Sequence, residues 1–345
     1  MRMYEYIVRR ALLLIFVLFG VSLITFYLAR GFPSAFNPCT PYITPKMTVA
    51  QIHAACASHG FYQPLYIQYF YWLRDVFTGN WGNAGSWAQG LPEYQVFASR
   101  FPYTVELALG AVVIAVIIGI PLGIASAIRN NRPVDHASRV VALTGISTPI
   151  YWFGFVLQLI FFYYFLQWGL PHLPSQGALS YNAPTVIHYT GIPVVDGILN
   201  LNWSYFSDAF VHLILPAFTL AFASLGALTR LVRASMLEVL RQDYITLARS
   251  KGLAERVVIF RHALRNALIP ALTVAGLLFA GLLGGAVITE TVFNWPGVGF
   301  LSLRAIFQGD SNFILLYTLV TALIVVVANL IVDVLYAVVD PRIRY

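Results

Sequence analysis

The sequence predicts an all-α membrane protein with six transmembrane helices and two long external loops. Of its 345 residues, 59% are hydrophobic and only 10% are charged, whereas a soluble globular protein carries about 25% charged residues. Six charge-free stretches each reach the roughly 20 residues that a helix needs to cross about 30 Å of hydrocarbon. These two observations exclude a soluble domain, a disordered chain and a coiled coil. The net charge of +7 is then better explained by membrane orientation than by nucleic-acid binding.

The six predicted spans follow one another with uneven spacing. They are 11–29, 107–128, 140–166, 209–229, 266–289 and 313–332. Pro149 interrupts the third span, and His212 and Pro216 lie inside the fourth. The charge-free run after Trp168 is not counted, because glycines and prolines punctuate it too densely for a helix.

The distribution of lysine and arginine predicts the orientation. Sixteen of the 21 basic residues fall on the side that holds both termini, and cytoplasmic loops carry such an excess. Both termini are therefore predicted to be cytoplasmic. The chain then divides into a cytoplasmic N-terminus with the first span (1–29), an external loop or cap (30–103), the second and third spans (104–166), a second external loop (167–208) and the last three spans (209–345). The last segment includes a cytoplasmic loop at 230–265.

The first external loop contains the two cysteines of the chain, Cys39 and Cys56. A disulfide is possible on the exported side; it would close about 17 residues and contribute about 3 kcal/mol. Two free thiols are the alternative, and two cysteines lack the four ligands of a structural zinc site. Loops this long are usually functional, so the external loops are interpreted as a shielding cap, a docking surface for an external partner, or both.

The cytoplasmic loop 230–265 carries eight basic residues and predicts a short amphipathic helix. Residues 236–251 contain no Pro or Gly, and Gly252 then marks a helix end. Apolar residues recur at spacings of three and four, which places them on one face. They are Leu237, Leu240, Tyr244, Leu247 and Ala248. Such a helix lies on lipid, packs against its own bundle, or fits a groove on a partner.

Two segments of this loop carry a family resemblance. They read DYITLARSKGL (243–253) and RHALRNALIP (261–270). They resemble the cytoplasmic "EAA" loop of ABC-importer permeases, and in particular the B-type (first) permease subunit of the dipeptide/oligopeptide/nickel transport family. Only Ala248 and Gly252 match the general EAA pattern, and Pro270 follows the glycine at a longer distance. Both departures are typical of the peptide subfamily.

Other segments support the same resemblance. They are RFPYT (100–104), PLG (121–123), STP (147–149), ETVFNWPGVG (290–299), NLIVD (329–333) and DPRIR (340–344). The likeness covers the start of the chain and most of 97–345. It implies the type I ABC-importer permease fold and a prokaryotic cell membrane. It also implies four partners: a second homologous permease, two ABC ATPase subunits and an external solute-binding protein.

The absence of a nucleotide-binding motif and of charged residues in the spans indicates that another subunit supplies the energy for transport. A P-loop needs Gly-Lys-Ser/Thr, and neither Lys46 nor Lys251 follows a glycine. Charge-free spans disfavour a stand-alone ion-coupled transporter. The chain is thus predicted to be no enzyme and to hold no catalytic, cofactor or metal site; ATP and Mg²⁺ would bind in the ATPase subunits. Its expected contacts also include lipid and exclude nucleic acid. Peptides are the predicted solute, with oligosaccharides or another small solute as the alternative.

The predicted ATPase-coupling site lies on the EAA-like helix. It comprises Asp243, Tyr244, Thr246, Leu247, Ala248, Arg249, Lys251 and Gly252. Tyr244, Leu247 and Ala248 are expected to fill a groove on the ATPase. Asp243, Arg249 and Lys251 are expected to fix orientation at its rim, while Gly252 lets the chain turn back sharply. Separately, the pairs Gly119/Gly123 and Gly281/Gly285 are spaced for close helix contact.

Overall fold

The computed structural model describes residues 3–31, 38–39, 42–43 and 46–339. Over these ranges the chain is helical, with one isolated β-bridge between Asn83 and Pro92. The helices are α1 Met3–Gly31, α2 Val49–Ser58, α3 Leu65–Thr78, α4 Glu93–Ile128, α5 Pro133–Ser147, α6 Ile150–Gln158, α7 Phe165–Gln167, α8 Pro193–Leu199, α9 Trp203–Val239, α10 Asp243–Ser250, α11 Glu255–Val257, α12 Leu264–Gly285, α13 Val287–Val292, α14 Val298–Phe307 and α15 Ser311–Val339.

Among the described residues, six helical segments are long and apolar enough to cross a membrane, which confirms the predicted number. They are Leu12–Gly31, Glu93–Ile128, Ile150–Gln167, Trp203–Val239, Glu255–Leu283 and Ser311–Val332. Two of these segments, Ile150–Gln167 and Glu255–Leu283, are continuous helices that each contain one π-helical turn. One turn, Leu159–Tyr164, joins α6 to α7, and the other, Val258–Ala263, joins α11 to α12.

The predicted third span is divided at Pro149, where α5 ends and α6 begins. Thr148 and Pro149 both have extended backbone conformations, with ψ angles of 127° and 128°. Proline lacks an N–H and excludes helical geometry from the residue before it. The expected kink is therefore a complete break, and the membrane-spanning part is Ile150–Gln167 alone.

Helices α4 and α9 pack closely because glycines bring their backbones together. A Cβ atom added at Gly123 would lie 2.7 Å from the Val232 Cβ and 2.8 Å from the Thr229 carbonyl oxygen. One turn earlier, the Thr229 hydroxyl donates a hydrogen bond of 3.3 Å to the Gly119 carbonyl. The Gly119/Gly123 pair thus packs within this chain. Gly281, in contrast, has open space where a Cβ would stand.

This contact leads to a testable prediction. Gly123→Val should lower the free energy of unfolding by about 1–3 kcal/mol, because an overpacked contact forces the helices apart. The melting temperature of the purified chain in detergent measures the effect. Gly281→Val is the matched control and should cause a smaller change. Equal melting temperatures for the two variants would contradict the packing account.

Two apolar cores lie at opposite ends of the bundle. The first joins the C-terminal ends of α4 and α9 to α10 and the start of α12, and Met236, Ile245 and Val258 are fully buried in it. The second joins the start of α4 to α14 and the start of α15, around Val298 and Phe313. Helix α3 lies at this second end, where Tyr69 packs with Phe26 of α1 and Leu315 of α15, and α2 precedes it in the chain. We call the two ends the coupling end and the cap end.

Candidate functional site

The EAA-like segment folds as the short helix α10, separated from α9. A continuous helix over 236–251 was predicted, and that prediction is wrong. Helix α9 stops at Val239, and Gln242 has an extended conformation (φ −73°, ψ 149°) before α10 begins. The turn between them allows Met236 and Ile245 to enter the same core. A straight helix would carry Ile245 away from that core, so tertiary burial overrides local helix propensity.

Gly252 ends this element in the left-handed region, with φ +74°. Its N–H bonds to the Arg249 carbonyl at 2.9 Å, and the Leu253 N–H bonds to the Ala248 carbonyl. Nothing within 4 Å would obstruct a Cβ at Gly252. The backbone conformation, rather than lack of space, is therefore the reason for glycine here.

Helix α10 has a buried face and an outward face. Ile245 and Ala248 are buried in the core of the coupling end. Tyr244 and Leu247 are exposed, the latter by 56%, and Leu253 is exposed beside them. We call Tyr244, Leu247 and Leu253 the α10 patch. Exposed apolar groups gathered in this way are typical of an interaction surface.

This placement corrects the predicted division of roles on α10. Ala248 was assigned to the partner-facing stripe, but its methyl group lies in the chain's own core. Ile245 was missed, although its spacing of three from Ala248 is the signal of a second apolar face. The three residues predicted for the rim, Asp243, Arg249 and Lys251, are exposed, and so is Thr246.

Polar contacts hold α10 against the start of the fifth span. The Asn266 amide nitrogen donates to the Tyr244 hydroxyl at 2.8 Å. The Arg249 guanidinium makes two hydrogen bonds to the Glu255 carboxylate, at 3.1 and 2.7 Å. Both members of this ion pair are about half exposed, so it contributes little stability. It does, however, orient Arg249, one of the predicted rim residues, across the Gly252 turn.

An ion pair between a buried carboxylate and a partly exposed arginine connects three helices at the coupling end. The Asp135 carboxylate on α5 accepts two hydrogen bonds from the Arg233 guanidinium, at 2.7 and 2.9 Å. It also accepts from the Ser126 hydroxyl at 2.6 Å and from the Asn131 N–H at 2.9 Å. The Arg233 guanidinium holds the pKa of Asp135 well below its usual range. Three elements, α4, α5 and α9, are thereby joined at one fully buried group, which the sequence did not reveal.

At the cap end, Glu290 organises the turn between α13 and α14. Its buried carboxylate accepts hydrogen bonds from the Thr104 hydroxyl at 2.7 Å and from the Phe300 N–H at 2.8 Å. Burial raises the pKa of Glu290, and these donors oppose the rise. The Trp295 indole donates to the Tyr103 carbonyl at 2.9 Å. The ETVFNWPGVG segment is thus attached to the start of α4, and Glu290 has a structural role.

The two cysteines meet in the cap. Cys39 and Cys56 are both buried, and their Cα atoms are 5.6 Å apart. That separation is in the usual range for a disulfide. The arrangement supports the predicted bridge between the loop after α1 and helix α2.

A labelling experiment tests the bridge. The folded, unreduced protein should resist a maleimide–polyethylene glycol reagent, and after reduction and denaturation it should gain the mass of two labels. Cys56→Ser should leave Cys39 reactive and lower the stability of the cap by about 3 kcal/mol, because a closed loop restricts the unfolded chain. Two labels on the denatured but unreduced protein would contradict the bridge.

Comparison with known proteins decides the family. Residues 119–345 match the family described as "Binding-protein-dependent transport system inner membrane component". The chain belongs to this family. Residues 3–108 of the permease match the N-terminal component of the same transport systems. The six-span helical architecture is therefore the type I ABC-importer permease fold, and the permease is a multi-pass membrane protein. The family resemblance of the EAA-like loop is confirmed.

Curated relatives cover nearly the whole permease. It is 37% identical over 99% of its length to the full oligopeptide transport system permease protein AppB of Bacillus subtilis. Over 96% of its length, the permease is 41% identical to the probable D,D-dipeptide transport system permease protein DdpB of Escherichia coli. This match covers 94% of the DdpB chain. The di/tripeptide transport system permease protein DppB of Pseudomonas aeruginosa is 39% identical over 99% of both chains.

Proposed function

We propose that this chain is the permease subunit of an ATP-driven importer for di- and oligopeptides and forms half of the translocation path. One observation carries the proposal: full-length similarity to permeases whose names all specify peptides. Similarity of 37–41% that extends through the loops as well as the spans favours a shared class of solute over a shared fold alone.

A second, homologous permease completes the path. Helix α6 and the π-helical turn after it expose several aromatic side chains, which include Tyr151, Trp152, Phe155 and Tyr163. Helix α1 packs along α15 and α3 and leaves much of its apolar surface free. Surfaces of this kind suit contact with another helical subunit as well as with lipid. One six-span chain does not easily enclose a path wide enough for a peptide.

Two ABC ATPase subunits supply the energy, and the α10 patch is the surface that receives one of them. Tyr244 and Leu247 enter the groove of the ATPase, and Asp243 and Lys251 lie at its rim. ATP and Mg²⁺ bind in those subunits, and this chain hydrolyses no ATP itself. A cytoplasmic position for the coupling end, with both termini on the same side, follows from the excess of basic residues there.

Movement of α10 is passed to the spans through the core that it shares with them. Ile245 and Ala248 pack with Met236 of α9 and with Val258 before α12. Closure of the ATPase pair would push α10, and the packed core would carry α9 and α12 with it. The bundle then tilts between inward- and outward-facing states as a rigid body.

The opposite end receives the external solute-binding protein. Helix α3 presents exposed aromatic side chains at Tyr66, Phe70 and Phe77, and Tyr62 precedes it. Aromatic residues are enriched at protein interfaces. The cap therefore has a docking role in addition to shielding the outer face.

Reconstitution tests the proposed function. The permease, its neighbouring permease and ATPases, and the binding protein are incorporated into proteoliposomes. We expect ATP-dependent accumulation of a labelled tripeptide and none of a trisaccharide. Uptake of the trisaccharide alone would replace the peptide assignment with the oligosaccharide alternative. Uptake driven by a proton gradient without ATP would overturn the importer assignment.

A further inference from the structure

We infer that a slot between α5 and α9 at the coupling end binds the headgroup and one acyl chain of an anionic phospholipid. The slot has a volume of about 210 Å³. Three arginines, Arg139, Arg230 and Arg233, lie on its lining, together with the apolar side chains of Leu143 and Ile146. This inference goes beyond peptide transport and does not depend on which solute is carried.

The charges of the slot favour an anion. Among the described residues, Asp135 is the one carboxylate that pairs with any of these guanidinium groups, and Arg233 neutralises it through two hydrogen bonds. Arg139 approaches the same carboxylate only at 3.5 Å. Arg230 takes part in no ion pair within the described ranges. The group therefore has a net charge of +2, and guanidinium forks match phosphate oxygens well.

The apolar wall of the slot selects a lipid over a soluble anion. Leu143 and Ile146 are largely exposed, as are Val140 and Val141 on the same helix. Helix α5 leads directly into the third span at Ile150, so these exposed apolar side chains lie next to a membrane-spanning segment. An amphiphile satisfies both halves of the slot, since its phosphate meets the arginines while its chain covers the apolar wall. Inorganic phosphate would leave that wall uncovered.

The position of the slot fits the same occupant. Arg230 and Arg233 lie in the C-terminal part of α9, directly after the charge-free stretch 209–229. Basic pockets between transmembrane helices on the cytoplasmic side bind anionic headgroups. Asp135 is fully buried and Arg233 partly so, whereas Arg139 and Arg230 are exposed and accessible to a headgroup.

Native mass spectrometry of the assembled transporter tests the site. The complex is placed in nanodiscs of phosphatidylcholine with added phosphatidylglycerol, and the retained lipid is counted after release into detergent. We expect the wild type to retain phosphatidylglycerol selectively. Arg230→Gln should bind it about fivefold more weakly, the effect of one arginine near a lipid surface. Arg230→Lys, which keeps the charge, should retain most of the binding.

The matched control is Arg132→Gln, at an exposed arginine that precedes α5 and does not line the slot. It should retain phosphatidylglycerol like the wild type.

Equal retention by Arg230→Gln and the wild type overturns the inference. So does the absence of selective retention in the complex, the result expected if the second permease covers the slot. Glycerophosphoglycerol, the headgroup without chains, should not compete; effective competition would mean a soluble-anion site instead. ATPase assembly and peptide uptake, measured separately, distinguish failure of this inference from failure of the proposed function.

Discussion

Replacing Asp135 with alanine should lower the free energy of unfolding by about 1–3 kcal/mol, the typical cost of leaving the hydrogen-bond donors around a buried acceptor unpaired. The carboxylate is fully buried and accepts four hydrogen bonds. Its loss leaves the Arg233 guanidinium without its counter-ion and the Asn131 N–H without an acceptor. The helix ends of α4, α5 and α9 lose their common attachment. Thermal unfolding of the purified permease in detergent measures the effect.

Asp75→Ala is the matched control, because Asp75 pairs with Arg74 at a largely exposed site. Exposed pairs contribute about 0–1 kcal/mol, so the control should melt near the wild type. A loss from Asp135→Ala no larger than that from Asp75→Ala would contradict the role of the Asp135–Arg233 pair.

The contribution of Asp135 should also depend on pH in a defined direction. Its pKa in the folded chain is well below the usual value because of the Arg233 guanidinium, and an unfolded aspartate titrates near pH 4. A depressed carboxyl pKa stabilises the fold above the unfolded value, and that stability is lost as pH falls toward the folded value. The difference in melting temperature between the wild type and Asp135→Ala should be constant from about pH 5 to 8 and should shrink below about pH 4.

Leu247→Glu should abolish association with the ATPase subunits while leaving the permease folded. Leu247 is 56% exposed on α10 and is not part of the buried core, so the substitution removes little internal packing. Loss of a central apolar anchor from an interface costs about 2 kcal/mol or more, which is roughly 30-fold in affinity. The glutamate would add the cost of burying a charge. ATP-driven uptake should disappear together with co-purification of the ATPases.

Two further variants make this result specific. Phe77→Glu changes an apolar residue that is even more exposed (83%), at the cap end, and should leave ATPase association unchanged. Ala248→Glu places a charge inside the core of the coupling end and should lower the melting temperature as well. If Leu247→Glu retains both ATPases, the α10 patch is not their docking surface.

The sequence predicts well those features that are local. A span is a run of apolar residues of sufficient length, so all six were found without tertiary information. The end of α10 at Gly252 was also predictable, because glycine is favoured where φ is positive. The break at 240–242 was not, since nothing in the propensity of Leu240, Arg241 or Gln242 ends a helix. It arises because Met236 and Ile245 must share one core.

The contacts that hold the two ends together are long-range and leave no pattern in the sequence. Asp135 and Arg233 are 98 residues apart, and Thr104 and Glu290 are 186 apart. The arginine that binds Asp135 could not be distinguished in the sequence from the other arginines of the same loop. The assignment of Ala248 to the outward face failed for a related reason. Tyr244, Leu247 and Ala248 form one apolar stripe in sequence, but the fold divides it between a core and a surface.

The central claim, that ATPase movement enters this permease through the α10 patch, is tested most directly by cross-linking from position 247. A photo-reactive amino acid in place of Leu247 is incorporated into the assembled transporter, and its products are identified by mass spectrometry. The account predicts a cross-link to an ATPase subunit that changes in yield when ATP is bound, and none from the same group at position 77. Cross-links from position 247 only to lipid or to the second permease would contradict it.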